Sequence, residues 1–198
     1  DVIVRITGDC PLVDAELVDR LITGFLDKAV DYASNREPAS YPDGLDVEVF
    51  TRKVLVETKN NAISSFEKEH VTPYIINSKK FSKYYLNSEE DLSKERWTVD
   101  EPEDLLLVAE IFKYFYPETN FSWEEVVKLR KIKPEIFAVN QHIVRNEGSI
   151  LGSGQKLWKR AKKIIPGGNM LLSKRPEMFL PEQWPAYFSK SKGCKVWD

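Results

Sequence analysis

Two local patterns in the sequence predict an α/β protein. Residues 1–6 form a nearly continuous apolar run rich in Val and Ile, and an amphipathic helix follows after a short turn. A strand, a loop and a helix in this order form the front of a βαβ unit. Continuous apolar strands are typically buried on both faces of a parallel sheet. We therefore expect a parallel sheet whose next strand lies upstream of Asp1, and a fragment truncated at both ends.

The first helix is predicted to begin at Asp14. Asp is a favoured N-cap residue, and Val13 and Val18 have the spacing of a hydrophobic staple across that cap. The elements that follow are predicted as a strand at 31–35, a turn at 41–44, a half-buried strand at 45–49, helices at 53–63 and 66–77, and strands at 81–86 and 96–99.

Two capping boxes predict the helices of the next stretch. Asp100 at the N-cap and Glu103 three residues later open one helix, with Pro102 in its first turn. Ser122 and Glu125 have the same spacing and open a second helix. A third helix is predicted from Pro134 towards Arg145.

A change of composition at residues 146–149 divides the chain. We predict one domain at 1–146, a linker at 147–152 and an arm at 153–198. The arm begins with a helix that Pro166 and the two following glycines end. Its apolar side is predicted to consist of Leu157, Trp158, Ala161, Ile164 and Ile165. Beyond this helix the arm has too few periodic apolar residues for a core of its own, so we expect it to pack on a structure outside this chain.

The composition argues against several classes of protein. Lys and Arg total 29 against 31 Asp and Glu, so the net charge of -2 gives no reason to expect a nucleic acid or an anionic membrane as partner. No apolar run approaches the roughly 20 residues that span a bilayer, and we expect no secretion signal. Cys10 and Cys194 form neither a metal-ligand spacing nor a disulfide framework, so we expect reduced thiols and a cytoplasmic protein.

Asp9 and Asp100 are the leading candidates for chemistry. Each follows a short β-like run, and ligands bind at the carboxyl ends of strands in such sheets. Two carboxylates can hold Mg²⁺ against the phosphates of a nucleotide. The alternative is structural, with Asp9 closing a turn and Asp100 capping a helix. Spacing alone favours this alternative.

Four motifs carry a resemblance to a known family. Arg5–Leu12 resembles the Gly-Asp-x-Pro-Leu segment of sugar nucleotidyltransferases with a glycosyltransferase-A-like fold. Tyr41–Glu48, Glu69–Ile75 and Arg96–Leu105 resemble the spore-coat polysaccharide cytidylyltransferase family, in the order that family has them. The resemblance implies the C-terminal part of a Rossmann-like nucleotidyltransferase domain. It also implies Mg²⁺-dependent transfer of CMP from CTP to a sugar or sugar acid, with release of pyrophosphate.

The resemblance also assigns individual residues. Asp9 and Asp100 fall on the family's magnesium ligands. Gly44, Asp46 and Glu48 fall near the sugar; the alternative for these three is a hairpin turn and an exposed strand face. His70 is a further candidate for substrate binding, although a lone histidine on a helix more often forms a structural hydrogen bond.

Three other side chains and one missing loop bear on this assignment. Lys68 and Arg36 are candidates for binding a phosphate or sugar acid, although a solvated surface role is favoured for both. Cys10 is expected to be a small buried filler. The family's nucleotide-binding loop belongs upstream of Asp1, so we expect this chain by itself to be inactive.

The arm resembles a second family. Ser153–Trp158, the Ile-Pro-Gly-Gly stretch at 165–168 and Lys192–Asp198 are similar to the start of class III aminotransferases of the glutamate-1-semialdehyde aminomutase type. That resemblance implies a pyridoxal 5'-phosphate enzyme whose cofactor loops and Schiff-base lysine lie beyond this chain. It also implies a homodimer formed through the aminotransferase part.

Three hypotheses follow from the two resemblances. The first is a bifunctional enzyme of sugar activation and amination. The second is an active aminotransferase whose nucleotidyltransferase-like domain is degenerate and only binds. The third is a non-enzymatic protein that keeps the fold.

Overall fold

The computed structural model describes residues 1–143, 145, 153–166, 168, 190–192 and 195–197. The chain divides into two compact units, Asp1–Arg145 and Asn146–Asp198. The predicted linker at 147–152 lies outside the described residues. Among the helices of the described ranges, none is long and apolar enough to cross a membrane.

A four-stranded mixed sheet forms the centre of the first unit. Its strands are β1 Val2–Arg5, β2 Tyr32–Ser34, β3 Glu48–Thr51 and β4 Lys83–Tyr85. Their order is β1-β3-β2-β4; β2 and β4 are parallel, whereas β3 runs antiparallel to both β1 and β2. The predicted α/β class is confirmed, but the described sheet is mixed and not wholly parallel as expected.

The first strand has one partner in the described part of the chain. β1 pairs with β3, and Val2 and Val4 are 46% and 38% exposed. Because the predicted neighbour of β1 lies upstream of Asp1, its burial on both faces stays a prediction.

Helices cover the sheet on both faces. Those of the first unit are α1 Ala15–Asp27, α2 Arg52–Asn61, α3 Ser65–His70, α4 Pro73–Asn77, α5 Pro102–Phe115, α6 Trp123–Ile132 and α7 Pro134–Phe137. Successive side chains of a strand point to opposite faces. Ala33 and Val49 accordingly pack with residues of α1, and Tyr32 and Phe50 pack with residues of α2 and α4.

The predicted half-buried strand at 45–49 differs from the structure in its start and in its burial. The strand begins at Glu48 and is buried on both faces, and residues 45–47 lack regular structure. The Asn35 side chain holds them, because its Nδ2 donates to the Leu45 carbonyl and its Oδ1 accepts from the Val47 amide. A buried amide side chain thus takes the place of strand pairing.

Three other predicted elements are shorter than expected. The helix at 66–77 is two helices, because Val71 has a φ of 68° and Pro73 begins a new helix. The helix from Pro134 ends at Phe137. The strand at 96–99 reduces to one bridge between Arg96 and Asp43.

The predicted helix starts are largely correct. The Asp14 side chain accepts from the Leu17 amide, as expected of an N-cap, and Ser122 forms its capping box with Glu125. The start of α5 is one residue later than predicted, since Glu101 and not Asp100 is the N-cap. Asp104 decides this register by accepting from the backbone amides of residues 100 and 101.

The largest apolar cluster lies beneath α5 and α6. Trp97 is fully buried at its centre, and its ring contacts that of Phe137 at a centroid distance of 6.4 Å. Leu107 and Ile111 of α5 and Val126 of α6 complete the contacts. The cluster fixes the segment that leads from Trp97 to α5.

The second unit contains α8 Ser153–Ile164 and a hairpin of β5 Lys190–Lys192 with β6 Lys195–Trp197. Of the apolar side predicted for α8, Trp158 and Ala161 are buried, and the other members are exposed: Leu157, Ile164 and Ile165. Gly168 has a φ of 76° and lies against the Trp158 ring, where a Cβ would come within 2.5 Å. Cys194 lies outside the described residues.

Candidate functional site

The site forms at one end of the sheet. Arg5, Glu48, Ser34 and Tyr85 are aligned across the four strands in register. Because β3 runs antiparallel, its beginning lies beside the carboxyl ends of β1, β2 and β4. The segments that follow β1 and β2 therefore meet the segment that precedes β3.

Two hydrogen bonds bring Asp9 to the segment that precedes Asp100. The Asp9 carbonyl accepts from the Val99 amide at 2.8 Å and from Thr98 Oγ1 at 3.1 Å. Asp9 thus lies against the residues that directly precede Asp100. Two aspartates separated by most of the unit's sequence become neighbours through this contact.

The surroundings of the two carboxylates differ. Asp9 Oδ1 has the Cys10 thiol as donor, at 3.6 Å. Asp100 Oδ2 accepts from Arg96 Nη2 at 2.8 Å, and the Asp100 side chain is 55% exposed. Cys10 is buried as predicted, and burial above all raises its pKa to about 12, so its thiol is not a nucleophile near neutral pH.

Arg96 is the centre of an ion network. Its side chain is 7% exposed and binds Asp104 through two parallel hydrogen bonds, Nε to Oδ1 at 2.9 Å and Nη2 to Oδ2 at 2.8 Å. It also reaches Asp43, at 3.4 Å, and Asp100. Burial acts to lower the pKa of Arg96, but the carboxylates outweigh it and raise that pKa.

Asp104 is ionised despite being fully buried. Burial acts to raise its pKa, but hydrogen bonds from Arg96, Asn140 and the backbone amides of residues 100 and 101 together lower it. Asn140 Nδ2 donates to Asp104 Oδ1 at 2.8 Å and also to the Arg96 carbonyl at 2.9 Å. The network is thereby anchored to the C-terminal part of the unit.

Asp43 and Asp46 share a second arginine. Arg145 Nη2 is 2.6 Å from Asp46 Oδ1, and Arg145 Nε is 3.7 Å from Asp43 Oδ1. Burial, the largest cause, raises the pKa of Asp43 to about 6 and also raises that of Asp46. We call Asp9, Asp43, Asp46, Asp100 and Asp104 the carboxylate cluster.

Gly44 and Glu48 were also predicted as site residues, and the structure gives each of them specific contacts. Gly44 has a φ of 108° and packs on the backbone of residues 97 and 98. Glu48 is buried and engaged by Tyr32 Oη at 2.6 Å and by Arg5 Nη1 at 2.5 Å. The role of Glu48 in substrate binding stays a prediction.

His70 lies at the end of α3, where its ring packs on Phe66 at a centroid distance of 4.5 Å. No described contact joins the His70 side chain to the carboxylate cluster. Arg36 lies 3.8 Å from Asp46 through its Nε, and that nitrogen is buried without a hydrogen-bond partner. The structure therefore brings Arg36 to the cluster rather than His70.

Sequence reasoning missed the residues that organise the carboxylate cluster: Asp43, Arg96, Asp104, Asn140 and Arg145. A signal did exist, since Asp43, Arg96 and Asp104 lie inside the quoted motifs. For Asn140 and Arg145 no such signal exists, because their partners are distant in sequence.

The carboxylates present fit a magnesium ion held jointly with a substrate. Mg²⁺ prefers oxygen ligands and commonly takes one or two carboxylates together with phosphate oxygens and water. Within the described residues no group of three or more acidic, His or Cys side chains is arranged to hold a metal by itself. Asp9 and Asp100 would supply two carboxylates, and phosphates would supply the rest.

Comparisons with known proteins found relatives of similar sequence. The chain is 36% identical over 146 residues to an uncharacterized protein of Methanocaldococcus jannaschii, covering 72% of this chain and 58% of the relative. It is 29% identical over 138 residues to the spore coat polysaccharide biosynthesis protein SpsF of Bacillus subtilis, covering 68% of this chain and 56% of that protein. No protein-family model matches the chain.

A solved structure shares the fold. A cytidylyltransferase from Leptospira borgpetersenii matches with a TM-score of 0.66 and 32% identity, covering 69% of this chain and 58% of the other. The chain thus spans less than two thirds of the length of these relatives. The similarities in sequence and in fold together support the cytidylyltransferase family.

Proposed function

We propose that this chain is the part of a cytidylyltransferase that supplies the magnesium and sugar sites. The reaction would transfer CMP from CTP to a sugar or sugar acid and release pyrophosphate, in the cytoplasm. One observation carries the proposal: hydrogen bonds to the Asp9 carbonyl hold Asp9 beside the segment that leads to Asp100. The similarity to SpsF and to the Leptospira cytidylyltransferase supports the choice of reaction.

Each part of the site would have a distinct task. Asp9 and Asp100 would hold Mg²⁺, which when bound neutralises charge on the phosphate under attack. Asp46, with Arg36 and Arg145 at its two oxygens, would orient the sugar. A sugar hydroxyl oxygen would form the new bond to the α-phosphorus, and the bond to the pyrophosphate oxygen would break.

Pyrophosphate release tests the proposal in the complete gene product. With CTP and a panel of sugars, Asp9→Asn and Asp100→Asn are each expected to lower the rate by about 100-fold or more, the scale on which electrostatic stabilisation acts. Asp19→Asn is the matched control, because Asp19 is an exposed aspartate on α1. Unchanged rates in both variants would contradict the assignment of the two carboxylates.

The second unit supports a further activity in the same polypeptide. We propose that Asn146–Asp198 begins a class III aminotransferase that uses pyridoxal 5'-phosphate and forms a homodimer. The motifs at 153–158 and 165–168, and a compact unit separate from the first, favour this proposal. The absorbance of an internal aldimine in the complete gene product tests it. Aldimine absorbance without pyrophosphate release would favour an aminotransferase with a degenerate nucleotidyltransferase-like domain.

A further inference from the structure

Asp100 is fixed in place although more than half of its side chain is exposed. Its Oδ2 accepts from Arg96 Nη2 at 2.8 Å. Its backbone amide donates to Asp104 Oδ2 at 3.1 Å. The described residues provide no donor to Oδ1. The protein therefore holds one carboxylate oxygen, and the other is accessible to solvent or to a ligand.

The two groups that hold Asp100 are themselves rigid. Asp104 is fully buried and joined to Arg96 by two parallel hydrogen bonds, an arrangement that fixes the guanidinium plane. Asn140 donates to both Asp104 and the Arg96 carbonyl. Both hydrogen bonds of the Asn140 side-chain amide therefore keep these two residues in place.

We propose that Arg96, Asp104 and Asn140 are positioning residues that hold Asp100 for a divalent cation. This inference rests on the proposed function, since it takes Asp100 as a magnesium ligand. None of the three would touch the metal or the substrate. Their contribution would be to orient the Asp100 carboxylate before the cation arrives, and the loss of such outer partners typically weakens metal binding by about 10–100-fold.

The forked guanidinium explains why an arginine occupies position 96. Its Nε and Nη2 donate to Asp104. Nη2 also donates to Asp100, and Nη1 donates to Asp43. Lysine carries the same charge but concentrates it in one ammonium group, which cannot keep these directions. Arg96→Lys therefore separates positioning from charge.

Binding of the Mn²⁺–CTP complex to the complete gene product, measured by electron paramagnetic resonance, tests the proposal. We expect Arg96→Lys to weaken Mn²⁺ binding by about 10–100-fold. The matched control is Arg130→Lys, because Arg130 also binds a largely buried carboxylate, Glu95, at 2.9 Å, next to Arg96 in sequence. We expect Arg130→Lys to bind Mn²⁺ as the wild type does.

A second variant keeps the proposal testable if Arg96→Lys does not fold. Asn140→Ser removes the donor to Asp104 and leaves both charged partners in place, and we expect a weakening of about tenfold. Urea denaturation of every variant identifies those that are folded during the measurement.

The outcomes distinguish failure of the positioning role from failure of the proposed function. Wild-type affinity in folded Arg96→Lys and Asn140→Ser, with binding lost in Asp100→Asn, would overturn the positioning role and leave the metal role of Asp100 intact. Equal losses of Mn²⁺ affinity in Arg96→Lys and Arg130→Lys would also overturn the positioning role, because they would indicate a general effect of stability. A wild-type gene product that binds no Mn²⁺–CTP would overturn both.

Discussion

Gly44 lies where two backbone segments approach each other closely. Its φ of 108° is a conformation that L side chains rarely adopt, and an added Cβ would lie 2.5 Å from the Thr98 amide nitrogen and 2.6 Å from the Trp97 carbonyl carbon. These atoms belong to the segment that also receives Asp9. The absence of a side chain at position 44 therefore allows the parts of the site to meet.

Gly44→Ala is expected to lower the free energy of unfolding by about 3 kcal/mol, because backbone strain and a backbone clash act together. Urea denaturation followed by tryptophan fluorescence measures the loss. Gly8→Ala is the control, since a Cβ at Gly8 meets nothing within 4 Å, and its effect should stay within about 0.5 kcal/mol. Similar losses in the two variants would contradict the importance of the close approach.

At the scale of elements, Asp14 joins the beginnings of two helices. Its Oδ1 accepts from the Leu17 amide of α1 at 2.9 Å, and its Oδ2 accepts from the Trp123 amide, the first residue of α6, at 3.1 Å. One buried carboxylate thus satisfies donors at two helix starts, although Asp14 and Trp123 are 109 residues apart in sequence. An ordinary N-cap serves only its own helix.

Asp14→Ala is expected to cost about 2 kcal/mol or more, since two buried amides lose their acceptor. Ser64→Ala at the exposed capping box of α3 should cost about 1 kcal/mol or less. Urea midpoints of the two variants provide the comparison. If Asp14→Ala cost no more than Ser64→Ala, the link to α6 would contribute nothing to stability.

At the scale of the whole molecule, the ion network joins segments from most of the first unit. Arg96 reaches Asp43 across 53 positions, Asn140 reaches the Arg96 carbonyl across 44, and Arg145 reaches Asp46 across 99. Its charges are buried and depend on each other. The stability of the unit should therefore respond to pH through this network.

Asp43 gives that response a definite sign. Burial raises its folded-state pKa from 3.8 to about 6, so its contribution to stability is complete below the unfolded pKa and is lost as the pH rises through about 6. The unfolding free energy of the wild type, relative to that of Asp43→Asn, should fall by up to about 3 kcal/mol between pH 4 and pH 7.

Urea titrations at several pH values in this range test the prediction, with Asp19→Asn as the exposed control. A difference between wild type and Asp43→Asn that grows with pH would contradict it. That result would mean that the ion pairs of Asp43 with Arg96 and Arg145 outweigh the cost of burying its charge.

The sequence by itself determined the features that depend on neighbouring residues. Asp14 and Ser122 were identifiable as caps because a capping side chain bonds to an amide three positions away. The motifs also placed Asp9 and Asp100 in two segments that hydrogen bonds to the Asp9 carbonyl hold side by side. The α/β class followed from the periodicity of strands and helices.

Only the tertiary structure decided the strand order and the setting of the site. β3 lies between β1 and β2, and no local pattern in the sequence specifies that order. Arg96 became the centre of the network because folding brought Asp43 and Asn140 to it from distant segments. Such contacts depend on which surfaces the chain buries together, which is a property of the whole fold.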